Sequence, residues 1–221
     1  RLATDEFPGG TATNIIASTG GTVEYIDQNP ASDYELTLDR TFNNAIFNSI
    51  ANTITLKADL TLNGNMTVAS GTLQINDDVA DTYTDNTTPL DIYVAGNISV
   101  EASGAITVGD VDASSEIGTS DVFTFHEIEL LGDLTNDGTI RFTNLSSISI
   151  TDGRYRDKYP TAADADNNTG SNDIPTAEFG VVEVLFTNAS KDQTVTLNGT
   201  SDFYRVEISK GTSQTFQTEF S

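Results

Sequence analysis

Apolar and polar residues alternate with period two along nearly the whole chain. Pairs such as Val23/Tyr25, Leu36/Leu38, Ile54/Leu56, Met66/Val68, Leu73/Ile75, Ile98/Val100, Ile106/Val108, Ile128/Leu130, Val182/Val184 and Val206/Ile208 mostly bracket Thr, Ser, Glu or Gln. Strands with one buried and one wet face read this way. Helical periodicity is nearly undetectable. Gly, Asn and Asp punctuate the strands, and the pattern assigns them the left-handed backbone conformations that tight corners require.

One phrase recurs. Gly-(Asn/Asp)-apolar-(Ser/Thr) followed by Gly-(Thr/Ala)-apolar stands at Gly64-Asn65-Met66-Thr67 with Gly71-Thr72-Leu73. It returns at Gly96-Asn97-Ile98-Ser99 with Gly104-Ala105-Ile106, and at Gly132-Asp133-Leu134-Thr135 with Gly138-Thr139-Ile140. A short strand of this kind buries its apolar side only by stacking on copies of itself. Apolar pairs begin at Ile54, Leu60, Met66 and Leu73, closer together than the strands of a sandwich or barrel. Three short strands with corners make a coil of about 20 residues. The expected fold is therefore all-β: a right-handed parallel β-helix, or β-solenoid, with projecting loops, the hand following from the crossover rule. Met66, Leu73, Ile98, Ile106, Leu134 and Ile140 are the expected core.

Two polar stretches interrupt the alternation, at 77–90 and 152–175, and read as loops on one face of the stack. A longer echo joins Gly21-Thr22-Val23-Glu24-Tyr25 and Tyr34-Glu35-Leu36 to Val181-Val182-Glu183-Val184-Leu185 and Tyr204-Arg205-Val206. It suggests a lead-in over 1–20, a solenoid unit over 21–180, and the start of a following repeat unit over 181–221. The chain then reads as a piece of a longer repetitive protein, with neighbouring repeat modules as its first partners.

Charge and composition narrow the function. The chain carries 33 acidic and 10 basic residues, a net charge of -23. That balance argues against nucleic acid, whose phosphates need clustered Lys and Arg, and against anionic membranes. No apolar stretch approaches the length that spans a bilayer, so direct membrane insertion is not expected. Without cysteine there is neither a disulfide framework nor a thiolate metal site.

The succession Gly-Thr-Val-Glu-Tyr at 21–25, Tyr-Glu-Leu-Thr-Leu at 34–38, Thr-Ile-Thr-Leu at 53–56 and Leu-Thr-Leu-Asn-Gly-Asn-Met-Thr-Val at 60–68, closing with Gly-Thr-Leu-Gln-Ile at 71–75, resembles large repetitive surface proteins of the Bacteroidota. The resemblance implies a secreted or cell-surface bacterial protein, an adhesive role and export by the type nine secretion system, whose machinery would be a further partner.

Candidate chemistry concentrates late in the chain. Arg154, Tyr155 and Tyr159 combine cations with aromatic rings, a set suited to stacking on a sugar or to anchoring a protein receptor. The neutral alternative is that these cations offset neighbouring carboxylates. Asp164, Asp166, Asn168 and Asp173 place oxygen ligands as a loop around calcium would, although no Glu closes the set as in an EF-hand loop. A solvated acidic loop explains the same residues. Outward threonines at Thr53, Thr55, Thr61 and Thr67 are too interrupted for an ice-binding array and follow from β propensity. His126, the sole histidine, sits in Phe125-His126-Glu127-Ile128 and is expected to face solvent or a cross-strand carboxylate. No nucleophile elbow or phosphate cradle is present, so no enzyme is expected. The reading is a non-catalytic structural or adhesive segment. Its alternative is a carbohydrate-binding or carbohydrate-cleaving module, calcium-dependent if the acidic loop is a site.

Overall fold

The computed structural model describes residues 19–27, 32–76, 89–109, 122–142, 178–212 and 214–220. Among them there is no helix, and the strands form two parallel sheets. The six-stranded sheet runs, from one end to the other, through β3 (Arg40–Phe42), β5 (Leu60–Leu62), β7 (Asp91–Val94), β9 (Val122–Leu130), β12 (Glu178–Phe186) and β15 (Arg205–Ile208). The ten-stranded sheet follows β1 (Thr22–Ile26), β4 (Asn44–Leu56), β6 (Met66–Ile75), β8 (Ile98–Val108), β10 (Leu134–Asn136), β13 (Gln193–Leu197) and β16 (Phe216–Phe220). Beside this path lie β2 (Tyr34–Leu36), β11 (Thr139–Arg141) and β14 (Thr200–Asp202).

The long strands have two limbs. The first limb of β8 pairs with β10 through Ile98 and Leu134, and its second pairs with β11 through Ile106 and Ile140. Register breaks between Phe47 and Thr53 in β4, and between Val68 and Ser70 in β6, mark the bend between limbs. Each circuit of the chain thus lays one strand in the six-stranded sheet and then two limbs in the other.

Parallel register places like on like. Phe42, Leu62, Val94, Leu130 and Phe186 form one column, Met66, Ile98, Leu134 and Val195 a second, and Ile54, Leu73, Ile106 and Ile140 a third. Every one of these side chains is buried. Strands about 4.8 Å apart bring successive members into van der Waals contact, so the columns merge into one core between the sheets. The six core residues expected from sequence all lie in it.

The recurring phrase has a specific structural cause. Asn44 Oδ1 accepts the Asn65 N–H at 2.7 Å, Asn65 Oδ1 that of Asn97 at 2.8 Å, Asn97 Oδ1 that of Asp133 at 3.0 Å, and Asp133 Oδ1 that of Thr194 at 2.8 Å. This ladder occupies the space beside the preceding glycines. A Cβ on Gly96 would lie 2.3 Å from Asn65 Oδ1, and one on Gly132 2.2 Å from the Gly96 carbonyl oxygen. Positive φ, expected throughout the corners, occurs among the described residues only at Gly21, Gly71 and Asn76. Close approach between circuits, rather than backbone handedness, therefore selects the glycine of Gly-Asn.

The step between paired residues varies. It is 20 positions from Arg40 to Leu60, 32 from Leu60 to Ile92, 36 from Ile92 to Ile128, 56 from Ile128 to Val184 and 22 from Val184 to Val206. The chain leaves after Asn76, Gly109 and Phe142, each at the end of a second limb. It rejoins at Pro89, Val122 and Glu178, each leading into the six-stranded sheet. All three long insertions use one corner. The alternation pointed to two of them and not to the one between Gly109 and Val122. The two copies of the long echo occupy different places: 22–26 and 34–36 are limbs of the ten-stranded sheet, whereas 181–186 and 205–208 are successive strands of the other.

Candidate functional site

The residues singled out for ligand binding, Arg154, Tyr155 and Tyr159, and for calcium, Asp164, Asp166, Asn168 and Asp173, lie outside the described residues. Their points of attachment are defined. Phe142 is buried, its N–H donates to the Asp202 carbonyl at 2.8 Å, and its own carbonyl accepts the Val182 N–H at 3.0 Å. The Phe203 ring meets it edge-on at 5.7 Å. Departure and return of the segment are thereby held together at the insertion corner.

Beside that corner begins the outer face of the six-stranded sheet. Register puts Asp91, Glu127, Glu183 and Arg205 in one outward column, and Tyr93, Glu129, Leu185 and Glu207 in the next. Five carboxylates from four adjacent strands share the face. Arg205 is the cation within it: its Nε lies 3.0 Å from Glu183 Oε1 and its Nη2 3.3 Å from Glu207 Oε2. Thr187 Oγ1 donates to Glu129 Oε1 at 2.6 Å. Glu127, at the middle of the first column, is held above the ordinary glutamate range, first by desolvation and then by Asp91, Glu183, Glu129 and Glu207. Burial raises the Tyr204 phenol, Arg205 opposes that shift and Glu183 adds to it. Such a face repels anions and other acidic surfaces. Among the described residues, no group of three or more His, Asp or Glu is placed to hold a metal ion.

His126 departs from expectation. It is 0% exposed, and its Nδ1 accepts the Leu90 N–H at 3.0 Å. The signal was in the alternation: His126 has the parity of Ile128 and Leu130 and therefore points inward with them. It holds the chain where the insertion before β7 rejoins the sheet, a structural task away from solvent.

The outward hydroxyls do align in part. Thr67, Ser99, Thr135 and Thr196 share one column, and Thr53 and Thr72 continue through Ala105 to Thr139 and Thr200. The neighbouring column runs Thr55, Gln74, Thr107, Arg141, Asp202 and breaks the hydroxyl array. Comparison with known proteins finds no matching family model, no similar curated protein and no similar solved structure.

Proposed function

We propose that the chain is a right-handed parallel β-solenoid that serves as a non-catalytic structural or adhesive segment of a large secreted or cell-surface bacterial protein. The observation that carries this reading is the pairing of circuits of very different length in unbroken parallel register in the six-stranded sheet. A stack that keeps one core while its insertions gather at one corner is suited to hold those insertions away from an anchoring surface. The resemblance to repetitive surface proteins of the Bacteroidota supports the same role. An excess of carboxylates keeps an extended molecule soluble and limits self-association along its flanks.

Two measurements test the proposal. Antibodies to the chain should label intact, unpermeabilised cells of the source bacterium, and labelling only after permeabilisation would overturn the surface assignment. A glycan array and a reducing-sugar assay, each run with and without chelator, address the rest. Release of reducing ends would overturn the non-catalytic reading, and chelator-sensitive glycan binding would replace it with the carbohydrate-module alternative.

A further inference from the structure

Two Asn-Gly steps, Asn63-Gly64 just after β5 and Asn198-Gly199 just after β13, lie at corners of the stack, and both asparagines are exposed. In an unfolded chain such a step is prone to deamidation, because glycine has no Cβ to hinder its own nitrogen. That nitrogen attacks the asparagine Cγ and a C–N bond forms. The side-chain amide leaves as ammonia, carrying off the glycine N–H proton, and a five-membered imide remains. Water opens the imide at either carbonyl to give aspartate or isoaspartate, and in isoaspartate the backbone runs through an extra methylene.

We propose that Asn63 and Asn198 are deamidation sites held shut by the stack, so that parting of the circuits is recorded as an irreversible chemical change. Gly64 N–H donates to the Asn43 carbonyl at 2.7 Å, and Gly199 N–H to the Asn136 carbonyl at 2.8 Å. The asparagines are anchored as well: Asn63 N–H donates to the Phe42 carbonyl at 3.0 Å and Asn198 N–H to the Asn136 carbonyl at 2.8 Å, while Asn198 Nδ2 donates to Asp137 Oδ1 at 2.7 Å. Ring closure requires rotation of the asparagine against its glycine, and bonds to the preceding circuit on both residues oppose it. Neither glycine can give way to a bulkier residue with a slower nitrogen. A Cβ on Gly64 would meet Asn44 Oδ1 and the Asn43 carbonyl oxygen, and one on Gly199 the Gly138 carbonyl oxygen. The contact that demands the labile glycine therefore also immobilises its nitrogen. Conversion spoils the same corner. At position 198 it sets a new carboxylate against that of Asp137, and at position 63 the extra methylene displaces Gly64 from Asn43.

Incubation of the 221-residue chain in mildly alkaline buffer, folded or unfolded in guanidinium chloride, tests this by peptide mass spectrometry and isoaspartate labelling at the two sites. Conversion in the folded chain should run about tenfold slower or more, because chemistry that requires an opened state follows the population of that state. Asn44→Ala removes the Oδ1 that accepts the Asn65 N–H beside Gly64. It should speed conversion of Asn63 by about fivefold, the equivalent of the ~1 kcal/mol of one hydrogen bond, and leave Asn198 at the parent rate. Circular dichroism checks that the variant is folded. A third arm needs no variant: the unfolded parent is aged, the denaturant is removed, and the refolded and unrefolded fractions are separated by size. Isoaspartate at both sites should be depleted in the refolded fraction. Equal rates in the folded and unfolded chain, an Asn44→Ala variant that accelerates neither site or both alike, or refolded material as rich in isoaspartate as the remainder would each overturn the proposal. The argument rests on two corners alone, so its failure leaves the scaffold reading untouched.

Discussion

Replacing Gly96 by alanine tests whether close approach between circuits is what selects the recurring glycine. The added Cβ would lie 2.3 Å from Asn65 Oδ1 and 2.6 Å from the Gly64 carbonyl carbon and oxygen, where real Cβ contacts stay beyond 3.0 Å. The Gly64 atoms are backbone, so relief requires neighbouring circuits to part at that corner. Parting strains two bonds, Gly96 N–H to the Gly64 carbonyl at 2.9 Å and Asn97 N–H to Asn65 Oδ1 at 2.8 Å. Overpacking costs about 1–3 kcal/mol, and a weakened ladder bond adds about 1 kcal/mol. The expected loss is about 2–4 kcal/mol, which in a chain of this size lowers Tm by roughly 5–15 °C. Gly20 provides the control, because a Cβ there meets nothing within 4 Å; Gly20→Ala should be neutral or slightly stabilising. Urea and thermal melts of both variants decide the matter. If Gly96→Ala unfolds with the same midpoint as Gly20→Ala, the steric account of the Gly-Asn phrase is wrong.

Other perturbations follow from the same geometry. Ile98 is 3% exposed, so Ile98→Asp buries an unpaired charge and should cost several kcal/mol, about 3 or more. Ser99→Asp, on the opposite face of that strand, should stay within about 0.5 kcal/mol in the same melts. His126→Phe fills similar space but deprives the Leu90 N–H of its acceptor, for an expected loss of about 1–3 kcal/mol by urea midpoint. His126→Gln, which retains an acceptor, should lose less. Because Glu127 titrates above its ordinary value of 4.5 in the folded chain, its contribution is fully present below that value and disappears as pH rises through the folded pKa. Glu127→Gln should therefore melt above the parent at pH 7, with the gap closing toward pH 4.5; a gap that widens on acidification contradicts the crowded-carboxylate account. Lys210 Nζ donates to the carbonyls of Asn188 and Lys191 and to Gln193 Oε1. Lys210→Met should therefore speed amide exchange in 214–220 while leaving the long central strands protected.

Much of this architecture was readable because period-two alternation reports the buried face directly. Met66, Ile98 and Leu134 could be placed in the core without knowing what they pack against. Other features depend on partners distant in the chain. The crowding at Gly96 comes from Asn65, thirty-one positions earlier, and no local rule shows that an amide will occupy the space of a missing Cβ. At His126 polarity and parity point to opposite faces, and parity prevails because a ring nitrogen satisfied by the Leu90 N–H sits comfortably in a core. The exposed Val206 and Ile208 look in sequence like every other apolar pair, because alternation records which way a side chain points and not whether another strand lies beyond it. The candidate ligand residues between 154 and 173 follow no alternation, so periodicity, the strongest signal in the chain, has nothing to say about them.

The common corner of the insertions has an evolutionary consequence. Since Ile92 to Ile128 and Ile128 to Val184 stack as regularly as Arg40 to Leu60, extra sequence at that vertex leaves the remaining geometry unchanged. Natural variation can enlarge or exchange segments there without retuning the core, which makes this flank the place to splice in an epitope, a tag or a foreign binding loop.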